Sequence, residues 1–255
     1  MKKILLYLPL VILGTFACSC DDYLDVNDNP NFVSEEQLNA SLMMPAVEMN
    51  LAANYGNYLR IVGGYLSQHF AHSFGTSNYL DYSKFQVSAT RCSGMYSDMY
   101  QRVLANLKTI LEKSEATEDW GTYLAATTLR AFTLQTLVDC FGEIPYTEML
   151  DVNNTAPKYD DGKTIYESVI AEIDAALAKA SASQWVCTNF LFPSEKARAW
   201  IQFANALKLK MYMRMAAVMD VKDKVSALVE EGNFPESDVA FVGCWADKSG
   251  EMSPY

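Results

Sequence analysis

Histidine is almost missing from this chain: His69 and His72 are the only two in 255 residues. They form an H-x-x-H pair without a glutamate between them and without an evident third ligand, which is too little for a zinc site and is expected to be a chance pairing. Basic residues are also short, 20 against 31 acids, for a net charge of −11. A phosphate backbone needs a basic patch, so nucleic acid is excluded as a partner. Beyond the first twenty residues no apolar run approaches the length of a membrane helix, about 20 residues. Cysteines are few and irregular. Cys92, Cys140, Cys187 and Cys244 make no C-x-x-C or Cys/His pair, so free thiols are expected rather than a stapled fold, with Cys140 as a small core residue in LQTLVDCF. No phosphate loop follows Gly63-Gly64, no pair of carboxylates stands out among the acids, and no catalytic residue and no cofactor is expected.

What is present begins at the first residue. Lys2 and Lys3 precede an apolar run from Ile4 to Phe16, broken only by Pro9, Gly14 and Thr15, and small residues then lead to Cys18 and Cys20. That is the layout of a secretory signal peptide, and its 13-residue run is too short to span a bilayer. A cysteine where cleavage is expected implies acylation. Residues 1–19 are read as the signal peptide, 20–33 as a lipidated tether beginning at Cys20, and 34–255 as the body, with Cys18 as the second choice of anchor. Without residues 1–19, 18 basic groups face 31 acids, a net charge of −13 that suits a dispersed, exported protein.

The body reads as helices. Ser34 with Gln37 and Thr164 with Glu167 form capping-box pairs. Ile165, Val169, Ile173 and Leu177 make an apolar stripe that leaves Glu167, Glu172 and Asp174 in water. Val103, Leu107, Ile110 and Leu111 make another between Met95 and Lys113. A helix starting at Ser194 turns Ala197, Trp200, Ile201, Ala204, Leu207 and Met211 inward. Trp120 to Phe141 is apolar nearly all round and is expected at the centre, ending at Gly142 with Pro145 beyond. Tyr79 to Val87 and Val239 to Trp245 are the two weak candidates for short strands. The pattern predicts an all-α fold of tetratricopeptide-like stacked helix pairs, although the repeat signature itself is absent.

Three stretches together resemble the SusD/RagB family of Bacteroidetes outer-membrane lipoproteins, in its nutrient-binding SusD-like branch. They are Cys20-Asp-Asp-Tyr-Leu-Asp-Val-Asn-Asp-Asn-Pro30; Leu129-Arg130-Ala131 followed by Leu137 to Glu148 (LVDCFGEIPYTE); and Pro157-Lys158-Tyr159-Asp160 followed by Ile165-Tyr166-Glu167 and Ile173-Asp174. The resemblance implies tetratricopeptide-like helices with irregular loops as the ligand face. It also implies a cell-surface lipoprotein in the outer membrane that captures a glycan, oligosaccharide or peptide and delivers it to a SusC-like TonB-dependent barrel transporter, without catalysis. Family members are usually longer, so the C-terminal part of the family fold is expected to be missing here.

Within the body the stretch His69 to Tyr100 is rich in aromatics interleaved with polar side chains. Sugar rings stack their C–H faces on aromatics while polar groups fix the hydroxyls. Tyr79, Asp81, Tyr82, Arg91 and Tyr96 are therefore the candidate ligand contacts; the competing reading is that these rings dock the loop onto the helices. Arg130, Asp139 and Glu143 surround the Phe-Gly-Glu-Ile-Pro-Tyr turn and are expected to satisfy one another and the turn's backbone. Two other functions stay open, a helical scaffold without a ligand and a lipid-anchored hydrolase.

Overall fold

The computed structural model describes residues 38–193, 196–241 and 248. The proposed signal peptide, Cys20, the tether and the capping pair at Ser34 lie outside the described residues, as does Cys244. The described body is all-α. Its helices are α1 (Ala40–Asn54), α2 (Arg60–Leu66), α3 (Leu80–Ser83), α4 (Ser93–Asp98), α5 (Ala105–Ala116), α6 (Trp120–Phe141), α7 (Gly162–Lys179), α8 (Ala197–Met215) and α9 (Lys222–Glu231). Two π-helical turns interrupt the period: Tyr55–Leu59 joins α1 to α2, and Met99–Leu104 joins α4 to α5.

α6 is the axis of the stack. Fourteen of its 22 residues are buried, and it packs against α5, α7 and α8. A helix apolar on every side can only be satisfied in that position. Asp119 caps its start by accepting from Thr122 N–H at 3.1 Å, and Gly142 ends it at φ +78°, where a side chain would be strained. α1 covers α5 with Met43, Met44, Val47 and Leu51, and Trp200 of α8 is fully buried beside Phe192.

Three local readings change. The cap of α7 is Asp161 rather than Thr164: the Asp161 carboxylate accepts from Thr164 N–H at 3.1 Å, so the helix starts at Gly162. Glu172 is not left in water but is held by Arg130 and by the Tyr146 hydroxyl at 2.6 Å. Cys140 is exposed, because the wide inner face of α6 turns Leu134, Gln135, Thr136 and Leu137 inward and the next residues out. Cys92, Cys140 and Cys187 form no disulfide.

Nor is Tyr79 to Val87 a strand: it is the single turn α3 with tight turns on either side. Val239 to Phe241 forms none either, and the rest of that second candidate lies outside the described residues. Two isolated bridges, Ile144 with Asp160 and Trp185 with Lys196, are the β pairing among the described residues.

Candidate functional site

The FGEIPY turn is a structural hub. Asp160 returns to Ile144 through a pair of backbone bonds, Ile144 N–H to Asp160 O at 3.3 Å and Asp160 N–H to Ile144 O at 2.9 Å. The Asp160 carboxylate then accepts from the N–H groups of Tyr146 at 3.1 Å and Thr147 at 2.7 Å. Those donors, the Thr147 backbone first, hold its pKa below the ordinary carboxylate value. Arg130 pairs with Glu172 and lies over the Tyr146 ring, 5.5 Å from its centroid. Asp139 accepts from the Tyr166 hydroxyl at 2.5 Å and from Arg214 at 3.0 Å. Arg130, Asp139 and Glu143 therefore do not satisfy one another: Arg130 and Asp139 pair with α7 and α8, and Glu143 is exposed. An open groove of 510 Å³ lies beside this turn, but its Asp139 is already occupied by these two donors.

The polar-aromatic site lies elsewhere. α2 stops at Leu66, and Phe70 folds back onto it, its N–H donating to Gly64 O at 2.9 Å. The ring lies so close to Gly64 that a Cβ there would fall 2.3 Å from it. Gly64 is thus a seat for a ring. The loop continues through Phe74, fully exposed, and His72, whose ring nitrogen meets Thr76 O. No helix joins His69 to His72, and among the described residues no cluster of three or more His, Cys, Asp or Glu could hold a metal.

Tyr79 adopts the left-handed conformation, φ +60°, and this turn launches α3. Tyr82 is then buried against Tyr65, ring centroids 6.2 Å apart, while Tyr79 leans on the same Tyr65 at 5.6 Å. Arg91 crosses both rings, 5.7 Å from Tyr79 and 5.2 Å from Tyr82, and is fixed by Asp81 at 3.1 Å. Burial, with the neighbouring Cys92, pushes the Tyr82 hydroxyl up to about 12, so it stays neutral and hydrogen-bonds as a phenol.

Tyr79, Tyr82 and Arg91 line a pocket of 400 Å³ together with Asn57, Tyr58, Ile61 and Asn78, and Asp81 borders it through Arg91. Tyr79, Asp81, Tyr82 and Arg91 are thus brought together. Tyr96 is not in this pocket: its ring packs on Tyr100 at 4.8 Å and edge-on to Phe141 at 5.1 Å. Asn57, Tyr58 and Ile61 are not among the sequence candidates, because the aromatic stretch considered there begins only at His69. The π-helical turn after Asn54 re-aims them, and the Asn-Tyr pair repeated at 54–55 and 57–58 was the available hint. Gly94 leaves room for the Tyr58 hydroxyl, 2.8 Å from where a Cβ would stand. Aromatic faces, two amides and a guanidinium around one cavity are the equipment for binding a polyhydroxylated ring.

The family model described as SusD-like, "starch-binding associating with outer membrane", matches residues 30–254. The chain belongs to the SusD-like family. Members of that family bind carbohydrate and are not enzymes. No curated protein sequence matches the chain. A SusD/RagB family protein from Bacteroides thetaiotaomicron superposes with a TM-score of 0.70 at 19% identity, covering 85% of this chain and 47% of its own. A chitin-binding SusD homologue from Flavobacterium johnsoniae has a TM-score of 0.61 at 21% identity, covering 74% and 43%. A SusD homologue from Bacteroides fragilis gives 0.62 at 16%, covering 84% and 45%. The chain therefore spans less than half the length of these SusD-like structures and shares the tetratricopeptide-like helical fold with them.

Proposed function

We propose that this SusD-like protein is a cell-surface lipoprotein that binds a neutral oligosaccharide in the pocket between the Tyr55–Leu59 turn and the loop at residues 67–92. On this reading Cys20 carries the acyl anchor in the outer membrane, and the bound glycan passes to a SusC-like TonB-dependent barrel. The observation that carries the binding reading is the convergence of Tyr79, Tyr82, Tyr58, Arg91, Asn57 and Asn78 on one cavity. The acidic balance supports a neutral ligand, since anionic glycans meet repulsion. The chitin-binding homologue supports a glycan over a peptide.

Calorimetry with chito- and malto-oligosaccharides tests it. Tyr79→Asn removes the ring while tolerating the left-handed backbone, and Arg91→Met removes the guanidinium while keeping the stem. Each is expected to weaken glycan binding about ten-fold, the scale of one lost stacking or charge-assisted contact. Unchanged affinity in both variants rejects this pocket. No binding of the parent chain to any glycan favours the ligand-free scaffold.

A further inference from the structure

A third cavity, of 210 Å³, lies between α1, α6 and α8 and is also lined by Leu191, Val239 and Phe241. Its walls are almost entirely hydrocarbon: Leu51, Ala52, Leu129, Phe132 and Phe203. Two polar side chains reach it. Tyr55 stacks on Phe132 at 4.9 Å and spends its hydroxyl on Thr136 Oγ1. The other is Glu48, which is fully buried. Its Oε2 accepts from Phe190 N–H at 2.6 Å, with Leu191 N–H adjacent, while Oε1 has no hydrogen-bond partner.

A carboxylate in such a place is costly unless a cation pairs with it. The lining supplies none: it holds no lysine, arginine or histidine. Its titratable groups are Glu48 and Tyr55, and Lys210 lies over the Phe132 ring with Nζ 5.1 Å from the centroid. Burial raises the Glu48 carboxyl to about 7, so near neutral pH its proton is readily exchanged for another positive partner. Size sets the rest of the ligand. A dry cavity of about 150 Å³ lined by Leu, Ile and Phe holds a benzene ring. The extra volume here leaves room for a short arm, and the surrounding aromatic faces attract a cation.

We propose that this cavity binds a small primary ammonium ion with an apolar body, its N–H groups donating to Glu48 Oε1 and its hydrocarbon part lying against Leu51, Leu129, Phe132 and Phe203. The site is separate from the glycan pocket and does not rest on it. Binding requires ionised Glu48, so the ammonium displaces a proton at or below neutral pH.

Calorimetry on the full chain with phenethylamine, compared with 2-phenylethanol as its neutral counterpart, tests the proposal. An alkylammonium stays charged up to about pH 10. The affinity for the amine is therefore expected to rise about ten-fold from pH 6 to pH 8 as Glu48 ionises, while the alcohol shows no such rise. Glu48→Gln should weaken the amine about ten-fold. Ala52→Leu, which keeps the carboxylate and fills the cavity, should abolish binding, and it decides the matter if Glu48→Gln does not fold. Tyr79→Asn should leave amine binding unchanged. Equal affinity for amine and alcohol, a flat pH profile, or full binding by Ala52→Leu would overturn the assignment.

Discussion

At the scale of single residues, the charged side chains near the family turn act on stability. Arg130 is mostly buried, with Glu172 on its guanidinium and the Tyr146 ring beneath. Its removal leaves a half-buried carboxylate without its cation. Arg130→Ala is expected to cost about 2 kcal/mol, which for a domain of this size lowers Tm by roughly 5 °C, whether or not a glycan is present. Identical melting curves would contradict this. Glu48 gives a pH signature of opposite origin. Its folded value of about 7 lies above the ordinary 4.5, so its stabilising contribution is complete below about 4.5 and is lost as pH rises through 7. The gap corresponds to about 3 kcal/mol. Relative to Glu48→Gln, the parent chain should lose stability by that amount between pH 4 and pH 8 in urea titrations; parallel curves across this range would show that the carboxyl stays ionised when buried.

At the scale of elements, the long helices were legible because each carries its own signal. α6 was bounded at both ends by Trp120 and Gly142, since a helix apolar all round and stopped by a glycine admits one placement. The π-helical turns were not legible. They insert a residue into a helix whose apolar spacing still reads as 3.6, and they decide where Asn57 and Tyr58 point. Half of the candidate site was therefore readable from the aromatic loop, and the other half depended on a backbone register that apolar periodicity does not announce. The loop's own docking depends on α2, where two adjacent glycines differ sharply. A Cβ at Gly64 would overlap the Phe70 ring, whereas at Gly63 nothing lies within 4 Å. Gly64→Ala should expel Phe70, lower Tm by several degrees and weaken glycan binding as the loop re-seats. Gly63→Ala should instead be neutral or raise stability by about 0.5–1 kcal/mol through helix propensity. Equal behaviour of the two variants in thermal melts would show that Phe70 does not hold the loop.

At the scale of the whole molecule, the proposed lipid anchor precedes the helical body in the chain. Among the described residues no helix is long and apolar enough to cross one, and the acidic surface is repelled by anionic lipid. The family associates with the outer membrane, and under the proposal above acylation of Cys20 would supply that association. One acyl chain gives only marginal, reversible binding, so the proposed anchor would need a second chain or another membrane signal for stable retention. The anchor and the fold are then separable: the helices pack around α6, far along the chain from residue 20. Cys20→Ser should leave the circular dichroism and Tm of the purified body unchanged. In cells it should abolish acylation, read by mass spectrometry of the N-terminal peptide, and move the protein from the membrane fraction to the soluble one. A variant that stays acylated would transfer the anchor to Cys18. One that loses its acyl chains yet remains in the membrane fraction would show that a protein partner, rather than lipid, does the holding.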